Sequence, residues 1–320
     1  MSAPSLTPSK PARSRRPQSR RESPPAPGSG AFAKNLRRNL TAHAFLIGAV
    51  LCFALFSWYP MVREFLLAFQ KTESGRTVWV GLDNFTTVFN DPAFWQAWGN
   101  TLWFTALALV LGFAVPFALA ITINEFRHGK AYLRLLVYLP VMLPPVAAVL
   151  LFQYLYDPGY GLLNELLGLL HLPEQQWLQD ADTAMFSLVI ASTWMNMGGA
   201  TLIYLAALQG IPGELYEAAE LDGAGVLRKI WHVTIPQTRL VLSLMFLMQI
   251  IATMQVFVEP FLLTGGAGPE GSTTTVVYLI YQYAFNFNNY GAAAALGLLL
   301  LVLLAGFSAA YVKLSRSEDA

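Results

Sequence analysis

Residues 209–239 open with Gln209-Gly210-Ile211-Pro212-Gly213-Glu214-Leu215-Tyr216-Glu217-Ala218-Ala219-Glu220-Leu221-Asp222-Gly223-Ala224-Gly225 and close towards Val233-Thr234-Ile235-Pro236. Pro212 suits a first helical turn, where its missing N–H costs nothing. Glu214 and Glu217 then stand near the positive end of the helix dipole. Gly223 suits a sharp break, because glycine accepts positive φ cheaply. Val226 to Val233 can form a second helix, and Pro236 is expected to end the segment. The stretch therefore reads as a helix–turn–helix with an acidic first half and a small Ala218-Ala219 face. Two placements fit it: a helix lying on lipid headgroups, or one docked in a groove of another protein. Surface helices usually present Lys and Arg on their polar face. This one presents Glu217, Glu220 and Asp222, which favours a protein partner.

Outward from this stretch the chain turns apolar. Of 320 residues, 55% are hydrophobic and only 12% charged, with a mean hydropathy of +0.47. A soluble domain carries about 25% charged residues, so most of this chain is expected in lipid. Six apolar stretches, about 42–62, 98–123, 134–156, 184–208, 240–262 and 290–312, each approach the roughly 20 residues that cross a bilayer. The expected class is an all-α membrane protein with six transmembrane helices. The third stretch holds Pro140, Pro144 and Pro145 and is expected to kink or unwind. Residues 1–40, rich in Ser, Pro and Arg, read as a disordered basic tail. The long apolar run after them reads as a retained first span rather than a cleaved leader. The single cysteine, Cys52, excludes an intrachain disulfide and a Cys-based metal site. No metal or cofactor is expected.

Orientation follows from basic residues. The tail, 124–134, 209–239 and the C-terminal end hold 17 of the 20 Lys and Arg. Arg63, Lys71 and Arg76 are the others. Both termini are expected in the cytoplasm. The opposite segments, 63–97, 157–183 and 263–289, carry turn signals, and 161–170 reads as a short amphipathic helix. Trp58, Tyr59, Trp95, Trp98 and Tyr290 read as an interfacial aromatic belt, and Asn288 and Asn289 as caps for the sixth span.

Glu217-Ala218-Ala219, Gly223 six residues after the Glu, and Val233-Thr234-Ile235-Pro236 after a nine-residue gap resemble the EAA loop of binding-protein-dependent ABC importer permeases. Gly81-Leu82-Asp83-Asn84-Phe85, Asp91-Pro92-Ala93-Phe94-Trp95, Asn100-Thr101, and Leu263-Thr264-Gly265-Gly266 followed by Ser272-Thr273-Thr274 are similar to the carbohydrate branch, in its maltose- and glycerol-phosphate-type first permease. The Gly265–Pro269 stretch is one residue longer than the family's usual form. The resemblance implies a type I importer permease over residues 41–312, with the coupling loop at 209–239 and 313–320 as a cytoplasmic end. It implies a second permease subunit forming a heterodimer, an ATPase subunit dimer and an extracellular or periplasmic substrate-binding protein, in the cell (inner) membrane. It further implies that Glu217, Ala218, Ala219, Asp222, Gly223 and Pro236 couple to the ATPase. No G-x-x-x-x-G-K-[ST] phosphate loop occurs in this chain, so nucleotide chemistry is expected in another subunit. Nothing points to nucleic acid; the surrounding partner is membrane lipid.

Depth suggests a substrate path. Gln249 lies ten residues past Arg239, or about 15 Å, near mid-membrane, and Thr253 and Val256 continue its face. Ser192, Met195, Asn196 and Gly199 share one face of the fourth span at a similar level. Ser192, Asn196, Gly199, Gln249, Thr253 and Val256 are the candidate substrate contacts. Polar residues in spans also serve as glue between helices, and Gly198-Gly199 can serve close packing alone. Glu259, about 30 Å past Arg239 on a continuous helix, reads as an interfacial carboxylate. The cargo expected is a sugar or oligosaccharide, with glycerol-3-phosphate or a glycerophosphodiester as the alternative. An ion-coupled transporter is the weaker rival, because no mid-depth acid is visible and such carriers commonly use inverted repeats.

Overall fold

The computed structural model describes residues 46–73, 76–126 and 128–318. The reading of residues 1–40 as a tail lies outside them. The chain divides at Pro60 into two units, Met1–Pro60 and Met61–Ala320. A helix, α1, spans Leu46–Leu67. The second unit continues with an antiparallel hairpin, β1 (Gln70–Glu73) against β2 (Arg76–Trp79) in Gln70↔Trp79 register, and a short α2 (Asp83–Asn90). The long helix α3 (Pro92–Glu125) follows, then α4 (Lys130–Met142), α5 (Pro145–Leu155), α6 (Leu162–Leu169) and α7 (Ala181–Gln209). Next come α8 (Gly213–Leu221), the continuous helix α9 (Val226–Met254), α10 (Val258–Leu263), α11 (Val276–Tyr281) and α12 (Tyr290–Glu318). The hairpin was not foreseen in the sequence; among the described residues its two strands pair only with each other.

Among the described residues five helices are long and apolar enough to cross a membrane, and the bent pair α4–α5 makes a sixth. Those two helices meet at 96° across Leu143-Pro144. The expected proline break is thus present, though Pro140 itself stays within α4. The α6 helix occupies the predicted amphipathic stretch. The last helix runs on to Glu318, past the expected end at 312.

The interior is organised along α3, which packs against α7 and α9. Near its start, Ala97 and Phe94 join the small face Ala292–Ala295 of α12. Such alanines allow close backbone approach where apolar burial gives no driving force between spans. Midway, Phe104 and Ala108 pack with Phe152, Leu188 and Val256. Near its end, Ala120 and Ile123 meet Tyr204, Leu205 and Leu208, with Ile211 against them. Gly198 makes the α7–α4 seam possible: a Cβ there would stand 2.6 Å from the Val137 carbonyl oxygen.

The residues that first suggested a resemblance lock the hairpin end of the molecule. Asn84 donates to the Ala68 and Gln70 carbonyls at 3.0 and 2.9 Å. Asp91 caps α3 by accepting from the Ala93 N–H at 2.9 Å, and also accepts from the Tyr283 hydroxyl. Asn100 donates to Gly271 and Thr274, and the Val276 N–H donates to the Thr101 hydroxyl. Asn289 accepts from the Ala292 N–H at 3.1 Å, the cap expected for the sixth span. Trp98 departs from the belt reading: it is half-buried against Phe94, while Trp95 is exposed.

Candidate functional site

Two regions carry the chemistry singled out in the sequence. The first is the 209–225 segment. Pro212 precedes α8 at the cap position rather than inside its first turn. The helix ends at Asp222, and Gly223 follows with φ +74°, the left-handed conformation its identity suggested. The Ala224 N–H closes the turn onto the Ala219 carbonyl at 2.9 Å. Glu217, Ala218 and Asp222 are exposed and Ala219 is half-exposed. Leu221, Val226, Leu227 and Trp231 add exposed apolar surface beside them, Leu221 at 90%. Lys229 pairs with Glu220 at 2.8 Å, and the Tyr216 and Thr234 hydroxyls meet at 3.1 Å. These two contacts fasten α8 to the start of α9. The Lys229 ammonium also holds the Glu220 carboxyl below its ordinary value, through the hydrogen bond and its charge.

Pro236 does not end this segment. The helix that starts at Val226 runs unbroken through it to Met254. A π-helical turn, Ile230–Thr234, precedes the proline, and the Ile235 N–H bonds back five residues to the Ile230 carbonyl. Proline in a regular helix removes a bond and clashes with the carbonyl four residues earlier; a locally wider turn relieves that crowding. The same arrangement occurs in α1. There the turn Ala54–Trp58 precedes Pro60 and the Tyr59 N–H reaches Ala54.

The second region is a cavity of about 380 Å³ among α3, α5, α7, α9 and α10. Ser192, Asn196, Gln249, Thr253 and Val256 all line it. Gly199 does not; one turn beyond Asn196, the helix presents Ala200 instead. Gln249 donates to the Ala108 carbonyl at 3.3 Å, and Thr253 bonds back to Gln249 at 2.8 Å. Gln249 therefore ties α9 to α3 while facing the cavity, and Thr253 bonds only within its own helix. Gly112 of α3 gives Gln249 its room, since a Cβ there would lie 2.6 Å from Nε2.

Glu259 is the residue the sequence reading misplaced. It is 9% exposed and lines the cavity. Its Oε1 accepts from the Ser192 hydroxyl at 2.8 Å and from Asn196 Nδ2 at 3.4 Å. The depth estimate assumed a helix continuous to 262, but α9 stops at Met254. Gln255–Phe257 are not helical, and α10 restarts at Val258. Pro260 explains the break: inside a longer helix it would clash with the Val256 carbonyl, whereas the first turn of a new helix tolerates it. The freed Val256 carbonyl accepts from the Thr275 hydroxyl at 3.0 Å. Thr275 thus helps hold the break that points Glu259 inward. The visible signals were Pro260 and a lone acid in an apolar run.

The family profile of the inner membrane component of binding-protein-dependent transport systems matches residues 114–317. The chain belongs to this family. It is 32% identical to the arabinooligosaccharides transport system permease protein AraP of Bacillus subtilis, over 86% of this chain and 88% of that one. It is equally 32% identical to the trehalose/maltose transport system permease protein MalF of Thermococcus litoralis, over 85% and 91%. Among solved structures it resembles a chain of a bacterial ABC transporter involved in the import of the acidic polysaccharide alginate. The TM-score is 0.78 and the identity 26%, over 89% of this chain and 98% of that one. That transporter has also been solved with an alginate pentasaccharide-bound periplasmic protein, and there the TM-score is 0.77. This chain is accordingly a membrane-embedded permease of the type I ABC importer fold. It is a transport subunit and not an enzyme, and it works with a substrate-binding protein. Membership also removes the ion-coupled reading, which the inward-facing Glu259 would otherwise have strengthened.

Proposed function

We propose that the chain is one of two permease subunits of an importer for a sugar or oligosaccharide, driven by a separate ATPase dimer. The observation that carries the cargo assignment is the cavity. It combines hydroxyl, amide and carboxylate groups with the ring of Phe104 in a volume typical of small-ligand sites. Its lining holds no Lys, Arg or His, so a phosphorylated cargo would meet an acid and no cation. The relatives named for arabinooligosaccharides and trehalose/maltose agree with this cargo class.

Energy enters at the other end. In this reading α8 docks in a cleft of the ATPase, with Glu217 pairing on its surface. Ala218 and Ala219 keep the contact close, Asp222 flanks the turn, and Gly223 sets the angle. Pro236, with the wider turn before it, transmits the motion into α9. The basic bias of 124–134 and 209–239 supports a cytoplasmic position for this end and for both termini.

The test is uptake into vesicles that hold the assembled transporter with its ATPase side and ATP inside and the binding protein and sugar outside. ATP-dependent accumulation of a neutral oligosaccharide, abolished by Glu217→Arg while the ATPase still hydrolyses ATP, is the expected result. Accumulation without any ATPase subunit would sink the proposal.

A further inference from the structure

Glu259 stands in an unusual electrostatic position. It is a carboxylate buried beside a cavity, and among the described residues no Lys, Arg or His forms an ion pair with it. Its two protein donors, Ser192 and Asn196, both reach Oε1. No donor among the described residues reaches Oε2, nor is that oxygen among the fully enclosed polar atoms that lack a partner. One face of the carboxylate is thus held by protein and the other is left to the cavity. A buried charge with spare acceptor capacity is costly unless something donates to it. The elements that hold it there are themselves fixed. The Gly266 N–H donates to the Pro260 carbonyl at 2.8 Å, and Gln153 donates to Leu262 at 3.0 Å. Ser192 and Asn196 sit one helical turn apart on α7, and both line the cavity beside the carboxylate.

We propose that Glu259 is a specificity-determining residue for the transported substrate. Its free oxygen accepts hydroxyl hydrogens from an uncharged polyhydroxylated ligand and excludes ligands that carry their own carboxylates. This deepens the sugar reading above and rests on it. The chemistry is one of complementarity. A sugar hydroxyl can donate to a carboxylate, and two vicinal hydroxyls can do so together. A uronate or a phosphate brings a like charge into a space without a cation, where repulsion is poorly screened. A hydrogen bond to a charged partner is worth more than a neutral one. Removing the charge while keeping the shape should therefore weaken binding of neutral sugars and relax the exclusion of acidic ones.

The experiment uses the assembled transporter in nanodiscs, without its binding protein, so that the cavity alone is read. Binding is measured by calorimetry for neutral trisaccharides with malto-, cello- and arabino- backbones, and for trigalacturonate and triguluronate. Wild type is compared with Glu259→Gln, whose amide oxygen can still accept from Ser192 and which preserves volume. Glu259→Asp, which keeps the charge but draws it back, serves as a second variant. The wild type is expected to bind at least one neutral trisaccharide and neither uronate. Glu259→Gln should weaken the neutral ligand roughly tenfold or more and bring the uronates into the measurable range. Glu259→Asp should keep the uronates out. If Glu259→Gln leaves both ligand classes as in wild type, the residue only ties α10 to α7 and the inference falls. Uronate binding to wild type as tight as neutral binding also overturns it. Binding of no trisaccharide of either kind to wild type overturns the sugar reading itself, a result distinct from an indifferent variant.

Discussion

The segment at 209–225 and the cavity beside Glu259 are built in opposite ways. The first is contiguous. Seventeen consecutive residues, from the end of α7 to the cap of α9, form a helix and a left-handed glycine turn, and their chemistry faces outward. The cavity draws scattered residues from five helices and a loop, and its one charge comes from a helix that begins after a break. Local rules of propensity, capping and glycine conformation are enough to write down the first. The second depends on where helices stop, which local rules place less well.

The contrast predicts that damage to one region should spare the other. Gly198→Val is the most severe test on the cavity side. Its added atoms meet the Val137 carbonyl and Tyr138 Cα, backbone that cannot swing aside. Overpacking of this kind costs about 1–3 kcal/mol. The unfolding temperature of the purified transporter should fall and neutral-sugar binding should weaken, while the ATPase subunit still co-purifies. Loss of the ATPase from such preparations would show that the two regions are not independent.

Gly223→Val reverses the pattern. A β-branched residue at φ +74° is strained by about 1–2 kcal/mol, and the turn that aims α8 would shift. ATP-driven uptake is expected to fall roughly tenfold or more for strain of that size, with sugar binding in the cavity unchanged. Equal losses of binding and uptake would contradict the separation.

Gly112→Ala is a gentler probe of the cavity. The new methyl displaces the end of a flexible side chain, Gln249, rather than backbone. The cost is the 3.3 Å bond to Ala108, a neutral hydrogen bond worth about 0.5–1.5 kcal/mol. A change of a few-fold in the dissociation constant for a neutral trisaccharide, with no change in unfolding temperature, is the expected reading. A large thermal shift would mean that Gln249 acts mainly as glue.

Much of this molecule was legible in its sequence. The break at Leu143-Pro144, the α6 helix and the Gly223 turn were read correctly, and five of the six candidate contacts line one cavity. What was missed has one physical origin. Pro236 was read as a stop and Pro260 as part of a continuous span, yet the effect of a proline depends on the turns around it. At Pro236 a π-helical turn lets the helix run through. At Pro260 the helix ends five residues early and restarts, so that the proline falls in a first turn. The first error split a continuous helix. The second joined a broken one and carried Glu259 out to the interface. Gly199 failed for a smaller reason: the face through Ser192 and Asn196 continues at Ala200, not at the glycine. The hairpin at 70–79 lacks a strongly alternating pattern and is only two strands of four residues, too short to register.

The smallest effect expected lies at the Glu220–Lys229 pair, and its pH dependence can be assigned a sign. Lys229 holds the Glu220 carboxyl below its ordinary value of 4.5. A carboxyl depressed by folding stabilises the fold above its unfolded value and loses that contribution as pH falls through the folded one. The pair is therefore intact from neutral pH down to the ordinary carboxylate range and weakens only below it. Because Glu220 is exposed, solvent and salt screen the interaction strongly. Glu220→Gln should change uptake less than about twofold at pH 7, as for exposed ion pairs generally. The ratio of mutant to wild-type uptake should stay flat from pH 8 to the ordinary value of 4.5 and approach unity below it. A ratio that instead moves between pH 6 and 8 would assign the titration to a group other than Glu220.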